Sequence, residues 1–371
     1  MRNGYKKNGG FVGGAYVVAR KNLCGSNGRP RRVAPTKQTE NLSNFWGGYT
    51  VKLTVYPYKH TTRSTRKRKM PLNITNAQRA EILTQALPYI QKYNNKIIVV
   101  KYGGNAMISE ELKQQVMEDV VLLSLIGVKV VLVHGGGPEI TDMLTRLGKE
   151  TKFVNGLRVT DKETVEIAQM VLAGKVNKTL VALLSAKGGR AMGISGMDGH
   201  LIEAEMKDEA LGYVGKITNI NAQPILDLLE KGYIPVISTI GCDNQGNVYN
   251  VNADTAASRI AGALQAECLI SMTDITGILH DKHNPNTLIP VIDLADAKAL
   301  VESGVVGGGM IPKVECCVDA IRRGVQKVFI MDGRVPHSIL IETLTDEGAG
   351  TMVVADKTLC ANQIKERGVS L

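Results

Sequence analysis

The sequence predicts an α/β protein: a three-layer αβα sandwich around a largely parallel central sheet, with a kinked helix ahead of the first strand. Two observations lead there. Short β-branched runs such as IIVV (97–100), VKVVLV (128–133) and IPVIS (234–238) alternate with stretches of helical periodicity. These runs are apolar throughout rather than alternating, as strands buried on both faces must be. A third observation sets the limits of the folded body. Of the 371 residues, the first 70 hold 16 Lys and Arg against one acid, Glu40, which leaves 29 basic and 34 acidic residues in the rest. The net charge of +10 therefore belongs to the leader, and the remainder is mildly acidic.

Residues 1–70 are basic, rich in Gly, Asn, Ser and Thr, and lack sustained hydrophobic periodicity. That composition reads as an organellar transit peptide; a disordered basic tail, or a nucleic-acid arm built on Arg63–Lys69, are the alternatives. No uninterrupted apolar run reaches the roughly 18 to 20 residues that span a bilayer. The six cysteines, Cys24, Cys242, Cys268, Cys316, Cys317 and Cys360, show neither CxxC spacing nor a zinc-ligand cluster, so a reduced compartment and no metal site are the expectation.

Residues 75–94 form the first predicted helix. Thr75 and Gln78 stand at capping-box spacing, and Ile82, Leu83, Ala86, Leu87 and Ile90 share one face. Pro88 removes a backbone donor within it and predicts a kink. The helix packs either on its own domain or on another subunit. Strands then fall at 97–100, 128–133, 234–238, 268–272 and 327–331. Helices are predicted at 110–126, from Pro138, and at 161–187, 222–231, 253–266, 293–303 and 312–324. Residues 190–220, with GMDGH and LGYVGKI, read as hairpins inserted in the α/β core.

The chemistry-bearing motifs lie where strands run out, the usual place for ligands in open α/β sheets. In KYGGNAM, Lys101 is followed by Gly103 and Gly104, a cation beside exposed main chain. VHGGGPEI sets Gly135, Gly136 and Gly137 before Pro138, which suits the first turn of a helix whose bare amides attract anions. His134 touches this loop and reads as a structural or positioning residue. GLRVTD supplies Arg158, whose planar fork matches a carboxylate. NVYNVNADTAA gathers Asn250, Asn252 and Asp254 ahead of a helix. GVVGGGMIPKVE places Gly307, Gly308, Gly309 and Met310 before Lys313, a lysine in a first helical turn where the helix dipole opposes it. A phosphate between dipole and ammonium would resolve that conflict.

Together with TDEGAGTM, these motifs in this order resemble the amino acid kinase family, and within it the N-acetylglutamate kinases. The resemblance covers the body of the chain and omits about the first 70 residues. It implies transfer of a phosphoryl group from ATP, with Mg²⁺ held mainly through the phosphates, to the carboxylate of N-acetyl-L-glutamate. On that implication Lys101 and Lys313 stabilise the transition state and Asp254 orients them. Gly136, Gly137, Arg158 and Asn250 bind the acid within an N-lobe, residues 96–250. Gly103, Gly104, Thr273, Asp274, Gly277, Ile278, Gly307, Gly308, Gly309 and Met310 bind ATP, chiefly in a C-lobe, residues 251–371.

The kinked helix and the segment 337–352 resemble the arginine-sensitive branch. That likeness implies arginine as inhibitor, bound by Glu342 and Gly348, and a homohexamer assembled as a trimer of dimers. It also makes a plastid location and control by the PII signal protein reasonable expectations; no nucleic acid or membrane partner is implied. Another amino acid kinase acting on glutamate or aspartate, and a non-catalytic arginine or nucleotide sensor, are the competing readings.

Overall fold

A computed structural model describes residues 74–358 apart from 108 and 282. The leader, residues 1–70, together with Cys24 and Cys360, lies outside the described residues.

The framework is an eight-stranded sheet. Ile97–Tyr102 lies near its middle, with Lys129–His134, Ile234–Ser238 and Ala191–Ser195 following on one side. On the other side come Cys268–Thr273, Lys327–Asp332, Gly350–Val353 and Val291–Ile292. Every neighbouring pair is parallel except Lys327–Asp332 with Gly350–Val353. Along the central strand successive residues point to opposite faces. Ile98, Val100 and Tyr102 join one core with Met117, Val120, Leu172 and Leu180. Val99 joins the other with Ile225, Ile260, Val314 and Cys317. Helices on both faces therefore cover a sheet with no wet side, the αβα arrangement the apolar runs require.

Ile97–Tyr102, Cys268–Thr273 and Lys327–Asp332 begin where their β-branched runs begin and extend one or two residues further. Lys129–His134 is shifted by one residue and Ile234–Ser238 keeps its expected bounds, so that Lys101, His134, Thr273 and Asp332 fall at neighbouring carboxyl ends. Two pieces differ from expectation. Ala191–Ser195 is not part of a hairpin: it pairs parallel with Ile234–Ser238 as the edge of the main sheet. The hairpin proper is Ile202–Met206 with Gly215–Ile220, in a four-stranded sheet with Ile240–Cys242 and Val248–Asn250. The segment 161–187 is also not one regular helix. Lys162–Gln169 and Asn177–Ala186 flank a π-helical stretch, Met170–Val176. By length and composition, Lys162–Ala186 is the one stretch among the described residues that could cross a membrane, but its apolar face is part of the core.

The first helix has its capping box, with Gln78 N–H donating to Thr75 Oγ1 at 3.2 Å and Thr75 N–H to Gln78 Oε1 at 2.8 Å. It breaks at Ala86, two residues before Pro88, into Asn76–Gln85 and Leu87–Tyr93. A proline ring clashes with the carbonyl four residues earlier, which places the break on that side. Tyr93 anchors the second half in the core, whereas Ile82, Leu83 and Leu87 stay exposed.

Leu132 is fully buried at the centre of the sheet. Leu132→Ala is expected to lower the unfolding free energy by about 3 kcal/mol, read as a lower urea midpoint with an unchanged slope.

Candidate active site

The site is assembled at the carboxyl end of the central strand. Lys101 is the fifth residue of Ile97–Tyr102 and is buried; its Nζ donates to the carbonyl of Met272 on the adjoining strand at 3.3 Å. The same Nζ lies 2.8 Å from Asp254 Oδ1. Oδ1 makes no aligned hydrogen bond, so this contact acts as a close ion pair. Asp254 Oδ2 accepts a hydrogen bond from Lys313 Nζ at 3.0 Å. One carboxylate thus bridges two ammonium groups that arrive from different layers.

Local sequence explains each position. Asn252 caps the helix Ala253–Ala263 by accepting from Thr255 N–H at 3.0 Å, which puts Asp254 in the first turn, where the helix dipole favours negative charge. Lys313 sits in the first turn of Ile311–Arg322, reached through the short 3₁₀ turn Gly308–Met310. Burial alone would raise the Asp254 pKa; the nearby Lys101 and Lys313 charges outweigh it and hold the carboxyl down at about 2.

A cavity of about 200 Å³ opens beside this bridge. Its wall includes Lys101, Gly103, Gly104, Gly136, Gly137, Arg158, Asn250 and Asp254, and Lys313 stands at its edge through the shared carboxylate. At Gly104 φ is +67°, a conformation that favours glycine, while a Cβ on Gly103 would sit 3.6 Å from Lys101 Cε. The two glycine loops meet through Gly135 N–H, which donates to the Tyr102 carbonyl at 3.1 Å.

Arg158 is buried and held from several sides. Its Nη2 donates to the Gly137 carbonyl and to Thr141 Oγ1, both at 2.9 Å, and the guanidinium lies over the Phe153 ring at 4.8 Å. Burial lowers its pKa, but arginine remains a cation. His134 is fully buried and packs away from the cavity, with Nδ1 2.8 Å from the Gly135 carbonyl. Desolvation pushes its pKa down to about 4, so it is neutral near pH 7.

The remaining predicted residues are not brought into this cavity. Thr273 ends its strand, hydroxyl toward Asp274 Oδ1 at 3.3 Å. Gly277 has φ of +147° and packs so tightly that a Cβ would fall 2.6 Å from Leu288 Cδ1. Ile278 is in the core, its N–H donating to Thr351 Oγ1 at 2.8 Å. Gly307, Gly308, Gly309 and Met310 form the turn that delivers Lys313. Glu342 is buried and accepts from Ala349 N–H at 2.8 Å, beside the exposed Gly348.

Sequence reasoning missed Phe153, Thr141 and Leu172. Phe153 and Leu172 line the cavity and Thr141 braces Arg158. Nothing in their spacing marks them, because each meets the site through tertiary contacts. A larger recess, about 350 Å³, lies across Pro138 and Glu139, lined by Met107, Lys113, Asp142 and Lys175 among others. It contains neither the lysine bridge nor Arg158, so the smaller cavity is the candidate centre.

The model of the amino acid kinase family matches residues 96–332, a span that includes both lysines and Asp254. The chain belongs to the amino acid kinase family. It is 55% identical over 286 residues to acetylglutamate kinase of Brachyspira hyodysenteriae, covering 76% of this chain and 99% of that one. With acetylglutamate kinase of Desulforamulus reducens the identity is 53% over 287 residues, covering 76% and 100%. Among solved structures, N-acetylglutamate synthase from Neisseria gonorrhoeae superposes with a TM-score of 0.67 at 24% identity, over 79% of this chain and 70% of that one. At that identity the likeness speaks for the fold alone.

The Asp254 pKa lies below the value near 3.9 of an unfolded aspartate, so the ionised bridge stabilises the fold fully above pH 4 and less as the pH falls toward 2. The stability difference between wild type and Asp254→Asn should therefore narrow over that interval, as measured by denaturant unfolding at stepped pH.

Proposed function

We propose that this amino acid kinase catalyses the acetylglutamate kinase reaction, moving the γ-phosphoryl group of ATP to the side-chain carboxylate of N-acetyl-L-glutamate. The observation that carries the reading is the convergence of Lys101 and Lys313 on Asp254 beside a cavity that also holds Arg158. Identity of 55% to an acetylglutamate kinase over nearly all of that relative's length selects the acid among the family's acceptors.

The chemistry needs what the residues supply. A γ-carboxylate with a reference pKa near 4.3 is already ionised at pH 7, so no base has to remove a proton. The obstacle is charge: two unit negative charges about 4 Å apart repel by roughly 4 kcal/mol at an effective dielectric of 20. As the bond to the leaving phosphate loosens, charge spreads over the equatorial oxygens. Lys101 and Lys313 stabilise that charge from two sides, and the glycine loops let it approach the main chain. Arg158 and Asn250 hold the polar groups of the acid, and Asp254 keeps the ammonium groups from separating.

A divalent cation travelling with ATP would be held at this site mainly through the phosphates. Among the described residues no three His, Cys, Asp or Glu side chains group to hold a metal, and Asp254 is already engaged by both lysines. When bound, Mg²⁺ supplies further neutralisation of phosphate charge.

The regulatory part of the reading is arginine feedback through Glu342 and Gly348 in a hexamer joined by the N-terminal helices. It is supported by the buried Glu342, by the exposed Gly348 beside it, and by the apolar face of Ile82, Leu83 and Leu87 left uncovered on the isolated chain. A plastid location rests on the composition of residues 1–70, and control by the PII signal protein rests on the resemblance alone.

An ATP-dependent assay with N-acetylglutamate, glutamate and aspartate in parallel, with and without arginine, tests the reading. Turnover should be confined to the acetylated acid, and a preference for either free amino acid would overturn the assignment. Lys101→Ala and Lys313→Ala should each lower kcat by about 10²-fold or more. Arg158→Ala should act mainly on the KM for the acid, a contact formed before transfer; steady-state kinetics with each substrate varied separates these effects.

A further inference from the structure

The GGG loop beside the reaction cavity is held by a side-chain relay that no function described so far uses. Lys178 Nζ donates to Asn177 Oδ1 at 3.1 Å and to the Gly193 carbonyl at 2.8 Å. Asn177, fully buried, turns its Nδ2 toward the Val236 carbonyl at 2.9 Å and the Ile194 carbonyl at 3.3 Å. A flipped amide would set its oxygen against those two carbonyls and its nitrogen against the lysine. The orientation is therefore fixed by chemistry.

With the amide fixed, the histidine tautomer follows. Asn177 Nδ2 is 3.1 Å from His134 Nε2, so a neutral ring must accept there and carry its proton on Nδ1. Nδ1–H then donates to the Gly135 carbonyl at 2.8 Å. That carbonyl shares a planar trans peptide with the Gly136 N–H, and the two groups of such a peptide point in opposite directions. Holding the oxygen toward buried His134 turns the Gly136 amide the other way, and Gly136 lines the cavity.

The π-helical stretch Met170–Val176 belongs to the same device. It leads directly into Asn177 and carries Leu172 and Val176 against Gly136, where a Cβ would fall 2.7 Å from Leu172 Cδ2 and 3.2 Å from Val176 Cγ2. Departures from α geometry of this kind are frequent near functional sites.

We infer that Asn177 is a positioning residue of the phosphoryl-transfer site, setting the tautomer of His134 and through it the direction of the Gly136 amide toward the anionic substrates. The inference rests on the proposed kinase reading for its effect on rate; the relay itself does not.

Two measurements on the full chain test it. Nitrogen-15 NMR of the histidine rings without substrate, with the His134 signals assigned by their loss in His134→Asn, should show the Nδ1-protonated tautomer at His134. In Asn177→Asp, whose carboxylate can only accept, a neutral ring should carry its proton on Nε2 and lose the Nδ1–H bond to the Gly135 carbonyl; a ring that charges instead keeps that bond, and the paired substitution at His134 then decides. With the neutral ring, that variant should lose about 10²-fold in kcat, with the KM for N-acetylglutamate changed less than about threefold.

A paired substitution separates donor geometry from packing, and it carries the test by itself if Asn177→Asp fails to fold by thermal melting. His134→Asn places an amide N–H near the position of Nδ1 and should lose only about fivefold in kcat, whereas His134→Gln places it near Nε2 and should lose about 10²-fold. Equal losses for the two, an Nε2-protonated ring in the wild type, or a changed tautomer in Asn177→Asp with kcat intact would each overturn the inference. A wild-type chain that ignores N-acetylglutamate while showing the expected tautomer would instead count against the proposed substrate.

Discussion

One carboxylate between two ammonium groups is the interaction on which the site depends. Removing a charge from water costs several kcal/mol unless a partner compensates it, and Lys101 is almost wholly buried. Asp254 answers that cost for both lysines at once, but only because both of its oxygens are used. The group as a whole keeps one net positive charge. A site that pairs every cation completely has nothing left for an anionic substrate; one that pairs none cannot hold the cations together in a dry cleft. The bridge lies between these limits, and the dipole of the helix Ala253–Ala263 adds to the preference for an ionised Asp254.

The same bridge explains why the elements meet as they do. Lys101 comes from the middle of the sheet, Asp254 and Lys313 from the first turns of two helices that pack together on one face. Parallel strands place their carboxyl ends on one edge, so Tyr102, His134 and Thr273 finish side by side. Glycines follow two of these ends, where the chain must turn sharply beside a ligand. Charge is thus supplied by long side chains from rigid elements, while main-chain donors come from loops clamped to the strand ends.

How much of this was legible in the sequence differs from element to element, for physical reasons. The strand IIVVK could be read because a sheet covered on both faces demands uninterrupted apolar residues, and the lysine ending it stood out against them. Lys313 could be read from its conflict with the helix dipole. The break before Pro88 could be read because proline acts locally. By contrast Ala191–Ser195 looked like part of a hairpin, since its neighbours in sequence form one; its actual partner, Ile234–Ser238, lies some forty residues away. The π-helical stretch leaves no mark in the apolar periodicity, and its contact with Gly136 joins residues remote in sequence. Glu342 illustrates the same limit: whether a helical glutamate is exposed or buried depends on whether something such as Ala349 N–H awaits its carboxylate.

The buried histidine beside the glycine loop clarifies what kind of catalysis the chain is built for. An exposed imidazole with a pKa near neutrality would suit a reaction in which a proton must be taken from the nucleophile. Here burial drives His134 to the neutral form and its ring nitrogens are both occupied by protein groups. A proton acceptor so placed can do nothing for a carboxylate that arrives already ionised, and nothing is required of it. The buried Lys101, the half-buried Lys313, a third cation in Arg158 on the cavity wall and amides held in fixed directions make a site that works by placing charge. Its demands fall on rigidity, and the unusual local features, from the shared carboxylate to the widened helical turn, all serve to hold groups still.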